Sequence, residues 1–274
     1  MTDALRGGQT RPVATDAAGE RGPGLTRNVY VVSIVSFLQD TASEILYPVL
    51  PFFVTGVLGA PPAVLGLIEG LADGVASAMK AISGRLADLR HRRPLVAGGY
   101  ATSAFGKLLL ALAGAWPVVL VARVTDRVGK GLRGPPRDAI IADETTPGNR
   151  GRAFGFHRAA DTAGAVVGPL IGLALYELLD QQLRPLLWIA VIPAILSVAA
   201  VFLIRERPHR HAGRERPWSI RGLPSHYWRV VAIIGVFALV NFPDTLLLLR
   251  AKDLGLDFAG VALVYVLYNL TTPR

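Results

Sequence analysis

Cysteine is absent from all 274 residues, which excludes disulfides, thiolate nucleophiles and Cys-ligated metals together. Charge is also sparse: 18% of residues are charged against 51% hydrophobic, with a mean hydropathy of +0.41. That balance disfavours a soluble globular domain, because apolar runs at such density need lipid around them. Acid is scarcer than base, 20 Asp and Glu against 29 Lys and Arg, for a net charge of +9. In a soluble chain this excess would suggest nucleic acid, whose phosphates clustered Lys and Arg neutralise. Here the basic residues fall between apolar segments, so no nucleic acid partner is expected; the pattern suits the anionic face of a lipid bilayer. Met1 to Arg27 lacks an apolar run, so no cleavable signal peptide is read there, and its Arg-, Gly- and Ala-rich composition predicts a disordered cytoplasmic tail over 1–27.

What the chain does have is long apolar runs. A membrane-crossing helix needs about 20 mostly apolar residues, since the hydrocarbon core is about 30 Å thick and each residue rises about 1.5 Å. Seven segments are read as spans: Asn28 to Val54, Ala63 to Ile82, Pro94 to Ala115, a fourth opening at Trp116, Ala159 to Leu179, Pro185 to Ile204 and Val230 to Leu249. An eighth begins near Ala259 and meets Arg274 before it could cross. Basic residues cluster on alternate connections: Arg6, Arg11, Arg21 and Arg27; Arg85, Arg90, Arg92 and Arg93; Arg150 and Arg152; and six arginines from Arg205 to Arg221. The opposite connections carry only Arg184, Arg250 and Lys252, so the positive-inside rule predicts a multi-pass protein of the cell inner membrane with a cytoplasmic N-terminus. The expected fold is all-α: a six-helix bundle over 28–204, a cytoplasmic linker over 205–228 and an incomplete second bundle over 229–274. Six-helix halves joined in this way are a common build of secondary transporters, with the substrate site between the halves.

Ionisable residues inside such spans cost about 2.5 to 3.5 kcal/mol each and usually face a bundle interior or a wet cavity. Asp40, Glu44 and Tyr47 share one face of the first span, continued by Ser33 and Ser36; Glu69, Asp73 and Lys80 repeat the spacing in the second. These acids read either as structural ion-pair partners or as a proton or substrate site. In the fourth segment Arg123, Arg127, Lys130, Arg133 and Arg137 recur every three or four residues, a cationic stripe within about 120° of arc, flanked by Asp126 and Asp138. Gly129, Gly131, Gly134, Pro135 and Pro136 would kink or unwind that helix. Two readings stand: the helix ends near Lys130 and a basic loop follows, or it runs on to Asp143 and the stripe lines a cavity. In the fifth span Gly164, Gly168 and Gly172 recur every fourth residue with Pro169 among them, the small-residue period of a tight interface or hinge. Asp161, one turn after His157, falls near its entrance. Asn241 and Asp244 flank Pro243 in the seventh.

At three points the chain resembles the major facilitator superfamily. GRLADLRHRRP is similar to that family's loop signature: Gly84, Leu86, Asp88, Arg92 and Arg93 match, while Leu89 and His91 depart. Asp88 is expected either to pair with Arg92 or to complement the positive end of a neighbouring helix, forming a conformational latch, and Gly84 to permit close packing. GAVVGPLIGL resembles the antiporter signature g-x-x-x-G-P-x-x-G-G, with Leu173 replacing the last glycine. Arg123 occupies the place of the fourth-helix arginine that the family associates with proton coupling. The resemblance implies alternating access, exchange of a small-molecule substrate against protons, a monomer when full length, and no cofactor or metal. It also favours the long fourth helix.

The leading expectation is a proton-driven exporter of small molecules, with Asp40, Glu44, Glu69, Asp73, Arg123, Asp126, Arg127, Lys130 and Asp161 around its cavity. An anion or organophosphate carrier using the basic stripe is the alternative. An intramembrane metal-dependent transferase is a third reading, on the acidic pairs Asp40 with Glu44 and Glu69 with Asp73, but no Asp-rich loop and no Ser-His-Asp spacing accompanies them. The absence of cysteine makes the topology easy to test. A single cysteine at Ser219→Cys should react with a membrane-impermeant maleimide only after permeabilisation; labelling in intact cells would reverse the predicted orientation.

Overall fold

The computed structural model describes residues 24–89, 91–205, 223–240 and 242–272, and no strand occurs among them. The predicted tail over 1–23, most of the linker over 206–222, and Asn241 lie outside the described residues. The helices are α1 (Arg27–Leu46), α2 (Val49–Phe52) with a π turn at Phe53–Val57, α3 (Pro62–Leu89), α4 (Arg92–Ala111) and α5 (Trp116–Asp143). They continue with α6 (Arg150–Leu178), α7 (Leu183–Ile189), α8 (Val191–Val201), α9 (Ser225–Val240), α10 (Asp244–Asp253) and α11 (Phe258–Thr271). By length and composition four stretches among the described residues suffice to cross a membrane: Arg27–Val57, Pro62–Leu89, Arg150–Leu178 and Leu183–Val201. The predicted spans on α4, α5 and α9 are not among these four; α5 carries the charged stripe and α9 has 16 residues.

Proline explains most departures from the predicted boundaries. Pro48 and Pro51 lack an N–H, and the first span is interrupted at Tyr47 before α2 continues it. Pro193 cannot donate to Ile189, and the sixth span breaks there into α7 and α8. The seventh span is two helices, because Pro243 disfavours helical backbone in the residue before it. Overruns have the opposite cause. Residues Arg85 to Leu89 contain no helix breaker, so α3 continues through most of what reads as a loop. At α11 the side chain of Asp257 caps the helix by accepting from Gly260 N at 2.8 Å.

α5 runs unbroken from Trp116 to Asp143 despite Pro135 and Pro136 inside it. Pro136 cannot donate to the carbonyl of Leu132, and the hydroxyl of Ser83 on α3 donates to that oxygen instead. The same repair appears in α6, where Pro169 orphans Ala165 O and Asn269 Nδ2 of α11 donates to it at 3.0 Å. Two of the three internal prolines, Pro136 and Pro169, thus become interhelical hydrogen bonds.

α5 packs between α3 and α4, while α1 packs along α6 and α8, and α4 completes the bundle against α8. Glycine permits the closest approaches. A Cβ at Gly106 would lie 2.6 Å from Asp126 N, and one at Gly168 would lie 2.8 Å from Glu44 Cβ. Two apolar clusters occupy opposite ends of α1: Val29, Val32, Tyr100 and Ile141 at its start, Ile45, Leu46, Phe53 and Leu65 at its end. The polar layer between them is where the charges lie. Beyond the linker, α11 packs on α6 and α10 on α2 and α3. Ser83→Ala should destabilise the protein by about 1–3 kcal/mol by leaving Leu132 O unbonded. In a Pro136→Ala background, where the helix supplies its own donor, the same change should cost little; thermal unfolding of the four variants in detergent measures both.

Candidate functional site

The charged layer is built on α5. Arg123 grips Glu69 of α3 with two hydrogen bonds, Nε to Oε1 and Nη2 to Oε2, both 2.7 Å. Glu69 is fully buried and Arg123 nearly so. Arg127 reaches the same carboxylate at 3.5 Å and the exposed Asp73 at 3.2 Å. On the other flank of α5, Asp126 accepts from Lys107 Nζ of α4 at 2.8 Å, with Arg123 at 3.7 Å. The upper stripe is thus neutralised by ion pairs that fasten α5 to both neighbours. A fork-shaped guanidinium meeting a carboxylate in two parallel bonds is the geometry that best offsets the loss of water.

Farther along, the stripe has different partners. Lys130 is exposed and, among the described residues, has no carboxylate within 4.0 Å. Arg133 donates to Ser103 Oγ at 2.6 Å and lies over the Tyr100 ring, 4.7 Å from its centroid. Arg137 bonds Asp138 at 3.0 Å and Ser36 of α1 at 3.1 Å, with Asp161 of α6 at 3.9 Å. Tyr100 and Ser36 share a further hydrogen bond at 3.0 Å. α1 and α5 meet mainly through these polar contacts.

Not every residue singled out from sequence joins the stripe. Asp40 is half-buried and has no ion-pair partner within 4.0 Å among the described residues. Glu44 accepts from Tyr265 of α11 at 2.6 Å, and Tyr47 stacks on the same tyrosine, with ring centroids 4.9 Å apart. Lys80 is exposed. The expected Asp88–Arg92 pair is replaced: Arg92 pairs with Asp143 at the end of α5 and donates to Ala87 O, because Arg92 opens α4 instead of closing a loop. Arg93 donates to Phe202 O at 2.8 Å. Gly84 does not mark a close approach, since a Cβ there would meet only Pro135 at 3.9 Å. Gly164 and Gly172 do face α1 backbone, since a Cβ on them would lie 2.9 Å from Phe37 O and 3.2 Å from Ile45 O, with the buried Pro169 between them.

Lys107 was not singled out from sequence, although a lone cation inside an apolar span is the signal that marks it. Tyr265 and Ser103 carry no such signal, because their importance lies in which helix they face.

Residues 32–272 match the family model described as Major Facilitator Superfamily. The chain belongs to the major facilitator superfamily. It is therefore an all-α, multi-pass membrane protein of a transporter family, which sets aside the transferase reading. An uncharacterised MFS-type transporter of Methanocaldococcus jannaschii is 33% identical over 254 residues, 90% of this chain and 63% of the relative. The multidrug resistance protein MdtH of Photorhabdus laumondii is 31% identical over 133 residues, covering 48% of this chain and 33% of its own. The chain thus spans less than two thirds of the length of these curated relatives. Among solved structures, a POT family transporter in complex with a thioalcohol-conjugated peptide aligns with a TM-score of 0.60 at 18% identity, covering 86% of this chain and 49% of that one. The human organic anion transporter MFSD10 aligns at 0.56 and 22% identity, over 65% and 47% of the two chains.

Lys107→Met should destabilise the superfamily bundle by about 3–5 kcal/mol, since Asp126 keeps a buried charge without its closest partner. Lys107→Met combined with Asp126→Asn should recover much of that loss, as read from unfolding midpoints in detergent.

Proposed function

We propose that the intact protein is a secondary active transporter of the inner membrane, a monomer that exports small molecules against protons by alternating access. The observation that supports this reading is the buried Glu69–Arg123 pair between α3 and α5. A carboxylate so placed has two states of different charge, and only the ionised one holds the guanidinium in its bidentate grip. A proton arriving at Glu69 releases Arg123 toward Asp126, which already lies 3.7 Å away. The exchange needs no large side-chain movement and alters how α5 is fastened to α3, so binding a proton can bias one arrangement of the helices over another. Asp40 and Glu44 supply further acids on α1, and the partial likeness to a multidrug resistance protein supports export of small organic compounds.

The anion-carrier reading keeps support from one observation. Lys130 and Arg133 have no carboxylate bonded to them, so positive charge remains along the stripe after the ion pairs are formed.

The test uses the intact transporter in liposomes under an imposed pH gradient. Ethidium is the cationic probe, carboxyfluorescein the anionic one, and a pH-sensitive dye follows protons. Proton-driven ethidium movement is expected, and Glu69→Gln, Arg123→Ala and Asp40→Asn should each abolish it while the protein still inserts in the membrane. Carboxyfluorescein movement that displaces no protons would favour the anion carrier, and unchanged ethidium flux in all three variants would remove the proposed coupling site.

A further inference from the structure

One buried pair meets the charges of α5 only through a long contact to Arg137. His157 and Asp161 lie one turn apart on α6, the histidine fully buried and the aspartate 6% exposed. Their facing atoms, His157 Nε2 and Asp161 Oδ2, are 3.5 Å apart, a contact too long to count as a hydrogen bond. His157 Nε2 and Asp161 Oδ1 are both buried, and neither has a hydrogen-bond partner among the described residues. The other edge of the ring leaves the problem in place: Nδ1 lies 3.4 Å from Ser33 Oγ.

Consider the two neutral tautomers. If Nδ1 carries the hydrogen and donates to Ser33, then Nε2 presents a lone pair to a carboxylate oxygen, two acceptors with nothing between them. If Nε2 carries it, Oδ1 still has no donor, and buried acceptors without donors are rare because nothing replaces their lost water. One added proton supplies the missing donor between Nε2 and Oδ2 in the first case, while Oδ1 stays without one in either. That proton makes an imidazolium that donates to both Ser33 and Asp161, or a carboxylic acid that donates to Nε2.

Resting on the proton-exchange reading above, we infer that His157 and Asp161 form a second proton-binding couple, sharing one proton between Nε2 and Oδ2 and separate from Glu69 and Arg123. The groups that face it are few. From α1 come Ser33, Ser36 and the carboxylate of Asp40, whose Cβ is 3.2 Å from where a Cβ of Gly164 would stand. From α5 come Arg137, 3.9 Å from Asp161, with its partner Asp138, and more distantly Arg133. α6 itself adds Arg158, also at 3.9 Å. α11 contributes no charged side chain, and Arg184 of α7 lies away over the ring of Phe53. Two nearby guanidiniums make the pair a poor host for a metal cation, whereas a shared proton leaves the carboxylate free to relax its weak hold on Arg137. Arg137 keeps Asp138 and Ser36, so proton binding redistributes the contacts that join α6, α5 and α1 without leaving that cation alone.

The purified intact transporter, titrated in detergent without added substrate, tests this directly. Infrared difference spectra on acidification should contain a carboxyl or imidazolium signal that Asp161→Asn abolishes, His157→Gln shifts in pH, and Glu69→Gln leaves in place. In liposomes the pH profile of ethidium flux should lose one titrating step in Asp161→Asn and move in His157→Gln. Spectra and pH profiles that match the wild type in both variants would overturn the couple. If Asp161→Asn does not fold, His157→Gln alone decides, by a moved or an unmoved profile. Should the wild type move no protons with ethidium while the infrared signal still depends on Asp161 and His157, the couple stands and proton-driven export of ethidium falls.

Discussion

The bundle depends on removing the charges of α5 from water without leaving them alone. A guanidinium or carboxylate taken into a low-dielectric interior carries a penalty of several kcal/mol, repaid only by close partners in good geometry. Glu69 from one side and Lys107 from the other supply those partners, so a helix too charged to cross a membrane by composition becomes its central element. The two pairs also determine who its neighbours are. Moving α5 away from α3 strands Arg123, and moving it from α4 strands Asp126. Glycine contacts at Gly106 and Gly129 bring backbone against backbone across the α4–α5 seam, so the ion pairs close over short distances.

The prolines follow the same logic on the backbone. In lipid an orphaned carbonyl has no water to turn to, and each internal proline creates one. Ser83 and Asn269 answer Pro136 and Pro169 from neighbouring helices. The two repairs differ in what they join. Ser83 binds helices already fastened by the Arg123–Glu69 pair, while Asn269 joins α6 to α11, which follows the linker in the chain. Together with the bond from Tyr265 to Glu44, it concentrates the attachment of α11 on the acid face of α1 and on the proline of α6.

Much of this order can be read in the residues because hydrocarbon penalises charge so heavily. Asp40, Glu69, Arg123 and Arg127 stand out in one dimension, and the family resemblance at GAVVGPLIGL and Arg123 agrees with the family model match over 32–272. Partner choice is not visible in the same way. That Glu69 takes Arg123 while Asp126 takes Lys107 depends on which helices flank α5, a property of packing and not of spacing. The loop reading of Gly84 to Arg93 fails for a local reason: a motif shared with other chains does not say where a helix stops, and nothing from Arg85 to Leu89 stops α3. Likewise Pro243 divides a run of apolar residues that hydropathy alone reads as one span.

The distribution of strong and weak contacts suggests how such a bundle can move. α3, α4 and α5 are bound by buried ion pairs and backbone-close glycines; α1 and α6 are bound by Gly164, Gly168 and Gly172 against the α1 backbone. Between these groups α5 meets α1 chiefly through Arg137 to Ser36, and α4 meets it through Tyr100 to Ser36. Hydroxyl bonds of this kind contribute about 0.5–1.5 kcal/mol each, against several for breaking a buried ion pair. A displacement that spares the pairs and exchanges the hydroxyl contacts is therefore the least costly one open to the fold. It also runs past Asp40 on α1, Lys130 on α5 and the buried His157 and Asp161 on α6, so the softest seam in the bundle coincides with its loosest charges.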